Sequence, residues 1–228
     1  MLLPFFKAVI LIPITLLPLL NPLATAPIYA SLLGNISADA QKRIARQVAI
    51  NSWFLLMAAM FIGSHILDIF GISLPIVRIA GGIIVASAGW RLLGDSGSDE
   101  IRTQVATKAS ADEEWTDEEF KIRSFYPISF PLTVGPGTIA ASIALGANTP
   151  TKLFDWMRTM GAAALGAALT ALVVFLCYRN AHRMVNILGR LGTLVLLRLS
   201  AFILLCIGIE IIWHGVSGVL IEAGVRLR

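Results

Sequence analysis

Charge is scarce in this chain. Asp, Glu, Lys and Arg make up only 14% of its 228 residues, against 57% hydrophobic residues and a mean hydropathy of +0.79, which leaves too little polar surface for an ordinary water-soluble domain. Cysteine is scarcer still. Cys177 and Cys206 both fall in or at the end of long apolar stretches, where cysteine packs as a small apolar residue, and no disulfide is expected. Histidine is limited to His65, His182 and His214. The two-histidine-plus-glutamate order of the zinc proteases is missing, so Glu210 and His214, one helical turn apart, do not by themselves make a metal or acid–base site. No enzyme activity, metal or cofactor is expected. No A-x-A-like cleavage site follows the apolar run after Lys7, which argues against a removable signal peptide.

What the chain has in abundance is apolar length. A bilayer crossing needs about 20 mostly apolar residues, and six stretches qualify: Phe5 to Leu33, Ala49 to Phe70, Leu74 to Leu93, Phe125 to Ala147, Trp156 to Tyr178 and Leu194 to Leu220. The first is overlong. As one straight helix it would reach about 43 Å, too long for one crossing and too short for two, so a break or strong tilt is required. Span five carries Gly161, Ala162, Ala163, Ala164, Gly166, Ala167 and Ala168, small residues that let helix backbones approach closely in lipid. They suit packing within one subunit, with a homo-oligomer as the alternative.

The chain also repeats itself. Pro18, Pro22, Leu23 and Pro27 are matched at a constant offset by Pro127, Pro131, Leu132 and Pro136. Each set puts helix-breaking residues inside an apolar stretch, because proline lacks the N–H and clashes with the preceding turn. A third landmark follows in each half, with Arg78-Ile79-Ala80-Gly81 opening span three and Arg198-Leu199-Ser200-Ala201 opening span six. Between the halves, residues 95–124 hold nine of the fourteen acidic residues and read as an acidic cytoplasmic connector. Ser110 with Glu113 and Thr116 with Glu119 form capping-box patterns in it. The division is therefore 1–94, a first three-helix unit; 95–124, the connector; and 125–228, a second three-helix unit. A three-span unit and its copy must be inverted, since an odd number of crossings reverses the next one. The expected fold is an all-α membrane protein of six transmembrane helices in two inverted repeats, with the first and fourth helices broken.

Duplicated broken helices in inverted units are a transporter device, with the solute held near the bilayer midplane where the breaks meet. The first break offers Asn21, Pro22, Thr25 and Pro27, and the second Thr133, Gly135, Pro136, Gly137 and Thr138. Pro27 and Pro136 are expected to start new half-helices, whose free N–H groups and positive dipole ends welcome an anion. Freed carbonyls and the Asn and Thr side chains suit an ammonium group or a coupling cation, H+ or Na+. Glu210 follows the short charge-free run from Leu199 to Ile209. A lipid-facing carboxylate there would cost about 2.5–3.5 kcal/mol, so it is expected to face the bundle interior or to carry a proton, as a coupling group, a substrate contact or a hydrogen-bond partner for a neighbouring helix near the outer interface. Arg78 and Arg198 are the gating candidates, and Asp68 is placed to pair with Arg78.

The stretch Phe70-Gly71-Ile72-Ser73-Leu74-Pro75 followed by Arg78-Ile79-Ala80-Gly81-Gly82-Ile83 resembles the MarC family of bacterial and archaeal membrane proteins. Asn21-Pro22-Leu23 with Pro27-Ile28, and Pro131-Leu132 with Gly135-Pro136-Gly137-Thr138, resemble that family's first-span and fourth-span signatures. The chain departs from the family pattern at Ala24, where glycine is more usual, and at Glu210, where a neutral amide is. The resemblance implies a six-span protein of the cytoplasmic (inner) membrane and transport of small neutral amino acids such as glycine and alanine. Export of another amphiphile, a drug or a lipid, and a non-transporting scaffold or regulator docking partners on the connector are the alternatives. The +4 net charge reads as membrane orientation, with no nucleic acid as partner. In the six-span arrangement twelve of the eighteen Lys and Arg lie on one face: Lys42, Arg43, Arg46, Arg91, Arg102, Lys108, Lys121, Arg123, Arg179, Arg183, Arg190 and Arg198. The positive-inside rule puts that face in the cytoplasm and both termini outside it. A topology reporter fused to either terminus is expected to read outside; a cytoplasmic signal from both would reverse the orientation.

Overall fold

Proline decides where the first apolar run stops being one helix. In the computed structural model, which describes residues 2–34, 36–94, 117–147 and 153–224, α1 (Leu2–Leu20) ends at Asn21 and α2 (Pro22–Leu33) leaves at 49° to it. Asn21 takes the left-handed conformation (φ 44, ψ 54), which a short polar side chain tolerates better than most. Pro22 then occupies the first turn, where its missing N–H costs nothing. Pro27 does not start a half-helix as expected. It is buried inside α2, because the reversal at Asn21 has already launched the helix five residues earlier.

The second break is built differently. Helix α5 (Asp117–Arg123) runs into a wide coil over Ser124–Thr133, whose backbone leaves helical geometry at Tyr126 and Phe130, each followed by a cis proline peptide. Residues before proline are pushed toward extended backbone. Pro136 then opens α6 (Pro136–Gly146), as its sequence position suggests, at a 74° bend. The remaining helices are α3 (Ala38–Ile69), α4 (Leu74–Leu93), α7 (Leu153–Arg179) and α8 (Ala181–Glu222), the last interrupted at Gly189 (φ 63). Four helical stretches are long and apolar enough to cross a bilayer, and the two bent pairs bring the number to as many as six. The described residues contain no strand. Ser110, Glu113 and Thr116 lie outside the described residues.

Helix α3 starts well before its apolar stretch. Ser37 caps it, its Oγ accepting from Ala40 N at 3.2 Å, and the early turns carry Lys42, Arg43 and Arg46 ahead of the apolar stretch that begins at Ala49. Arg43 lies over the Phe120 ring of α5, 4.4 Å from its centroid, a cation–π contact that ties the run-in of the second half to the first.

Packing pairs the two halves element by element. α4 runs along α8, α3 along α7, α1 and α2 against α7, and the coil and α6 against α3; α4 also meets α6 while α2 meets α8. Exchanging the halves maps this set of pairs onto itself. The α4–α8 pair is antiparallel: Gly215 lies against Ile79, Gly82 against Ile212, and Gly89 against Leu205. Glycines at these points let the two backbones approach closely, the usual way of gaining van der Waals contact between helices in lipid. On α7, Ala162, Ala163 and Ala167 are buried and Gly166 sits against Val9 and Ile12 of α1, so these four pack inside the subunit, while Ala168 is exposed.

At Gly89 a β-carbon would stand 2.6 Å from Leu205 N and 2.8 Å from Ala201 O, backbone atoms that cannot yield. Gly89→Leu is therefore expected to destabilise the protein by about 2 kcal/mol or more, read as a fall in thermal unfolding temperature in detergent. Gly161→Ala, whose nearest neighbour is the Phe5 ring at 3.8 Å, is expected to leave it unchanged.

Candidate functional site

The two breaks open onto one cavity of about 670 Å3. Asn21 and Thr25 line it from the first break, and Thr133, Gly135, Pro136, Gly137 and Thr138 from the second. From there it extends to Leu33, Leu92 and Arg123, at the C-terminal ends of α2, α4 and α5. Most of the wall is aliphatic, supplied by Leu19, Ile28, Ile84, Val85, Leu132 and Leu204 among others. A few polar groups at one pole of an apolar chamber is the usual composition of a small-molecule site.

At that pole, α6 makes its first backbone bond from Ile139 N to Gly135 O, 3.1 Å. The N–H groups of Gly137 and Thr138 come before it and are the free donors of the first turn. Thr138 is 2% exposed, and its hydroxyl makes no bond among the described residues. The Asn21 side chain likewise caps nothing. Gly137 has a second duty: a β-carbon there would run into Val85 and the Gly81 carbonyl of α4, so it sets how closely α6 packs.

Thr25 and Thr133 are committed elsewhere. Thr25 Oγ1 donates to Asn21 O at 3.1 Å and Thr133 Oγ1 to Ile128 O at 2.7 Å, and both hydroxyls meet the Tyr178 hydroxyl, at 3.0 and 2.8 Å. Around them lies a polar lattice that the sequence reading did not single out. Gln41 Nε2 donates to Tyr178 O at 2.9 Å, and His182 sits between Gln41 Oε1 (2.9 Å) and Gly34 O (3.2 Å). Asn51 Nδ2 donates to Ser129 Oγ at 3.1 Å, and Ser129 Oγ donates to Ser124 O at 2.6 Å. These bonds clothe the irregular coil, whose carbonyls have no regular helical donors. An amide such as Asn51 inside an apolar span was the available clue, because polar residues there bond across helices.

Comparison with known proteins agrees with this architecture. A sequence profile for the MarC family integral membrane proteins matches residues 6–220. The inner membrane protein MarC of Escherichia coli O1:K1 / APEC is 33% identical over 216 residues, covering 94% of this chain and 96% of the relative. Its counterpart from Salmonella arizonae is 32% identical over 213 residues, covering 92% and 95%. The chain belongs to the MarC family. No solved structure matches it.

In this MarC family member the motif positions divide into two groups. Asn21, Thr25, Thr133, Gly135, Pro136, Gly137 and Thr138 come together at the cavity, whereas Pro22 and Pro27 are buried behind its wall within α2. The three coupling or gating candidates lie away from it. Glu210 is exposed on α8, its carboxylate 3.3 Å from His214 Nδ1. That corrects the inward-facing placement expected for it: the carboxylate points out of the bundle, toward His214 one turn along its own helix. Arg198 donates to the Leu93 carbonyl at the end of α4, closing off a helix terminus that lacks its own donors. Arg78 is half-buried near the start of α4, and among the described residues it forms no ion pair with Asp68.

Proposed function

We propose that this MarC family protein is a secondary transporter of small neutral amino acids, glycine and alanine among them, working by alternating access between two inverted three-span units across the inner membrane. The observation that carries the reading is the meeting of both breaks on one cavity. A carboxylate fits the first turn of α6, where the N–H groups of Gly137 and Thr138, the Thr138 hydroxyl and the positive end of the helix converge. An ammonium group fits the amide oxygen of Asn21 on the facing break. The exchange-symmetric packing of the two halves and the antiparallel α4–α8 pair support two inverted units, since related spans of such units run in opposite directions.

The aliphatic wall favours one alternative, export of a larger amphiphile whose apolar part fills the chamber beyond the polar pole. Competition decides between them: the amino-acid reading expects excess unlabelled alanine to block uptake, and the amphiphile reading expects only hydrophobic amines or acids to do so.

The direct experiment measures uptake and efflux of labelled glycine and alanine in vesicles containing the purified protein. Gly135→Leu is the informative variant, because a β-carbon at Gly135 stands 3.4 Å from its nearest neighbour, Pro131 O, so the backbone is tolerated while the side chain occupies the cavity. Transport is expected to fall to background in Gly135→Leu with the unfolding temperature preserved. Retained transport would remove the cavity from the path.

Glu210 supplies the test of coupling. With its carboxylate outside the cavity, Glu210→Gln is expected to transport at the parent rate and with the parent pH dependence. A lost pH dependence would return proton coupling to this residue.

A further inference from the structure

One side chain touches both breaks. Tyr178 is fully buried, and its hydroxyl lies 3.0 Å from Thr25 Oγ1 and 2.8 Å from Thr133 Oγ1. Its position is closely held. The ring stacks on Tyr29 with centroids 4.3 Å apart and planes 16° from parallel. The Tyr178 carbonyl takes the Gln41 amide, and the Tyr29 hydroxyl donates to Gln41 O at 3.1 Å. The phenol oxygen is thereby delivered to a fixed point between the first and fourth spans.

The protons at that point do not suffice. Each of the three hydroxyls has one proton to give, yet they make four contacts: Thr25 with Asn21 O, Thr25 with Tyr178, Tyr178 with Thr133, and Thr133 with Ile128 O. While both threonines donate to carbonyls of their own segments, Tyr178 has a single proton and two acceptors. It then bonds one broken span and leaves the other. Holding both at once requires a threonine to release its carbonyl, and Asn21 O, which already takes the N–H groups of Ala24 and Thr25, is the acceptor that needs that proton least.

We infer that Tyr178 is a positioning residue that acts as a two-way latch, its hydroxyl proton bonding either Thr25 of the first broken span or Thr133 of the fourth, and so setting the separation of the two breaks. The inference rests on the transport reading only for its consequence, which is that moving the bond from one threonine to the other accompanies the change of cavity access. The latch itself is a property of the hydrogen bonds. A tyrosine serving only to fill space would be replaced by phenylalanine without effect on that separation.

Electron–electron distance measurement on spin labels tests it without a transport assay. Labels at Leu23→Cys and Phe125→Cys, both on exposed positions of the two broken spans, are placed in the full chain with Cys177→Ala and Cys206→Ala, reconstituted in lipid nanodiscs. Thr25→Val and Thr133→Val each leave Tyr178 a single threonine, and are expected to shift the ratio of distance populations in opposite directions, each by about fivefold, the scale of one buried hydrogen bond. Tyr178→Phe keeps the ring and its stack but removes both alternative bonds, and is expected to merge the two populations into one broader distribution. Thr15→Val, which removes a hydroxyl bonded within α1 to Leu11 O, is the control expected to leave the distances alone. An unchanged distribution in Tyr178→Phe, or shifts of one sign in both threonine variants, would overturn the latch. If Tyr178→Phe does not fold, the threonine pair decides alone.

A second arm measures labelled alanine uptake, where Tyr178→Phe is expected to change the maximal rate by about fivefold with KM nearly constant. A change confined to KM would make Tyr178 part of solute binding and end the positioning role. Distances that respond in a protein that moves no alanine would sustain the latch and end the transport reading; alanine transport with unresponsive distances would do the reverse.

Discussion

Inside hydrocarbon every backbone N–H and C=O must find a partner within the protein, and that requirement shapes the centre of this molecule. The chain abandons regular helix twice, at Asn21 and across Ser124–Thr133. At the first place one left-handed residue suffices, and its carbonyl collects the donors of the next turn. At the second, a wide-turn bond from Val134 N to Ser129 O is supplemented by side chains: Ser129 Oγ reaches Ser124 O, Thr133 Oγ1 reaches Ile128 O, and Asn51 of α3 comes across to hold the Ser129 hydroxyl. Polar side chains of the neighbouring helices accompany the coil: Asn51 of α3 meets Ser129, and Tyr178 of α7 meets Thr133. Ser124, Ser129 and Thr133 are buried against them, while Phe125 turns an apolar ring outward.

This division explains which polar groups remain available. Side chains that bond backbone carbonyls, Thr25, Thr133 and Ser129, are held by intramolecular bonds, and Asn51 is held in turn by Ser129. Groups at the start of α6, together with the Asn21 amide, have no such duty. The polar groups left open to the cavity are those that remain after the backbone has been satisfied, which is why they are few beside an aliphatic wall.

Much of the fold was legible because its signals are local. Proline spacing marks both breaks, apolar length marks the spans, and Pro136 starts its half-helix where the first-turn rule puts it. Pro27 misled because two prolines compete to open the second half of span one; the left-handed Asn21 gives the start to Pro22, and no periodicity announces a single residue's φ. The polar lattice was illegible for another reason. Gln41 with Tyr178 and Thr25 with Tyr178 join residues far apart in the chain, and nothing in the local pattern of either partner points to the other. Glu210 shows the opposite failure: an argument from its depth along one helix could not fix which way that helix turns it, and it points outward toward His214.

The glycine seam between α4 and α8 also bears on how the chain is made. Synthesis delivers the first half before the second, so Gly82 and Gly89 of α4 are made well ahead of Gly208 and Gly215 of α8, which complete the seam. Until α8 follows, α4 has no backbone to close against. Closure of the seam is thus a late step in assembly, and a chain that stops short of α8 lacks the surface on which the α4 glycines pack.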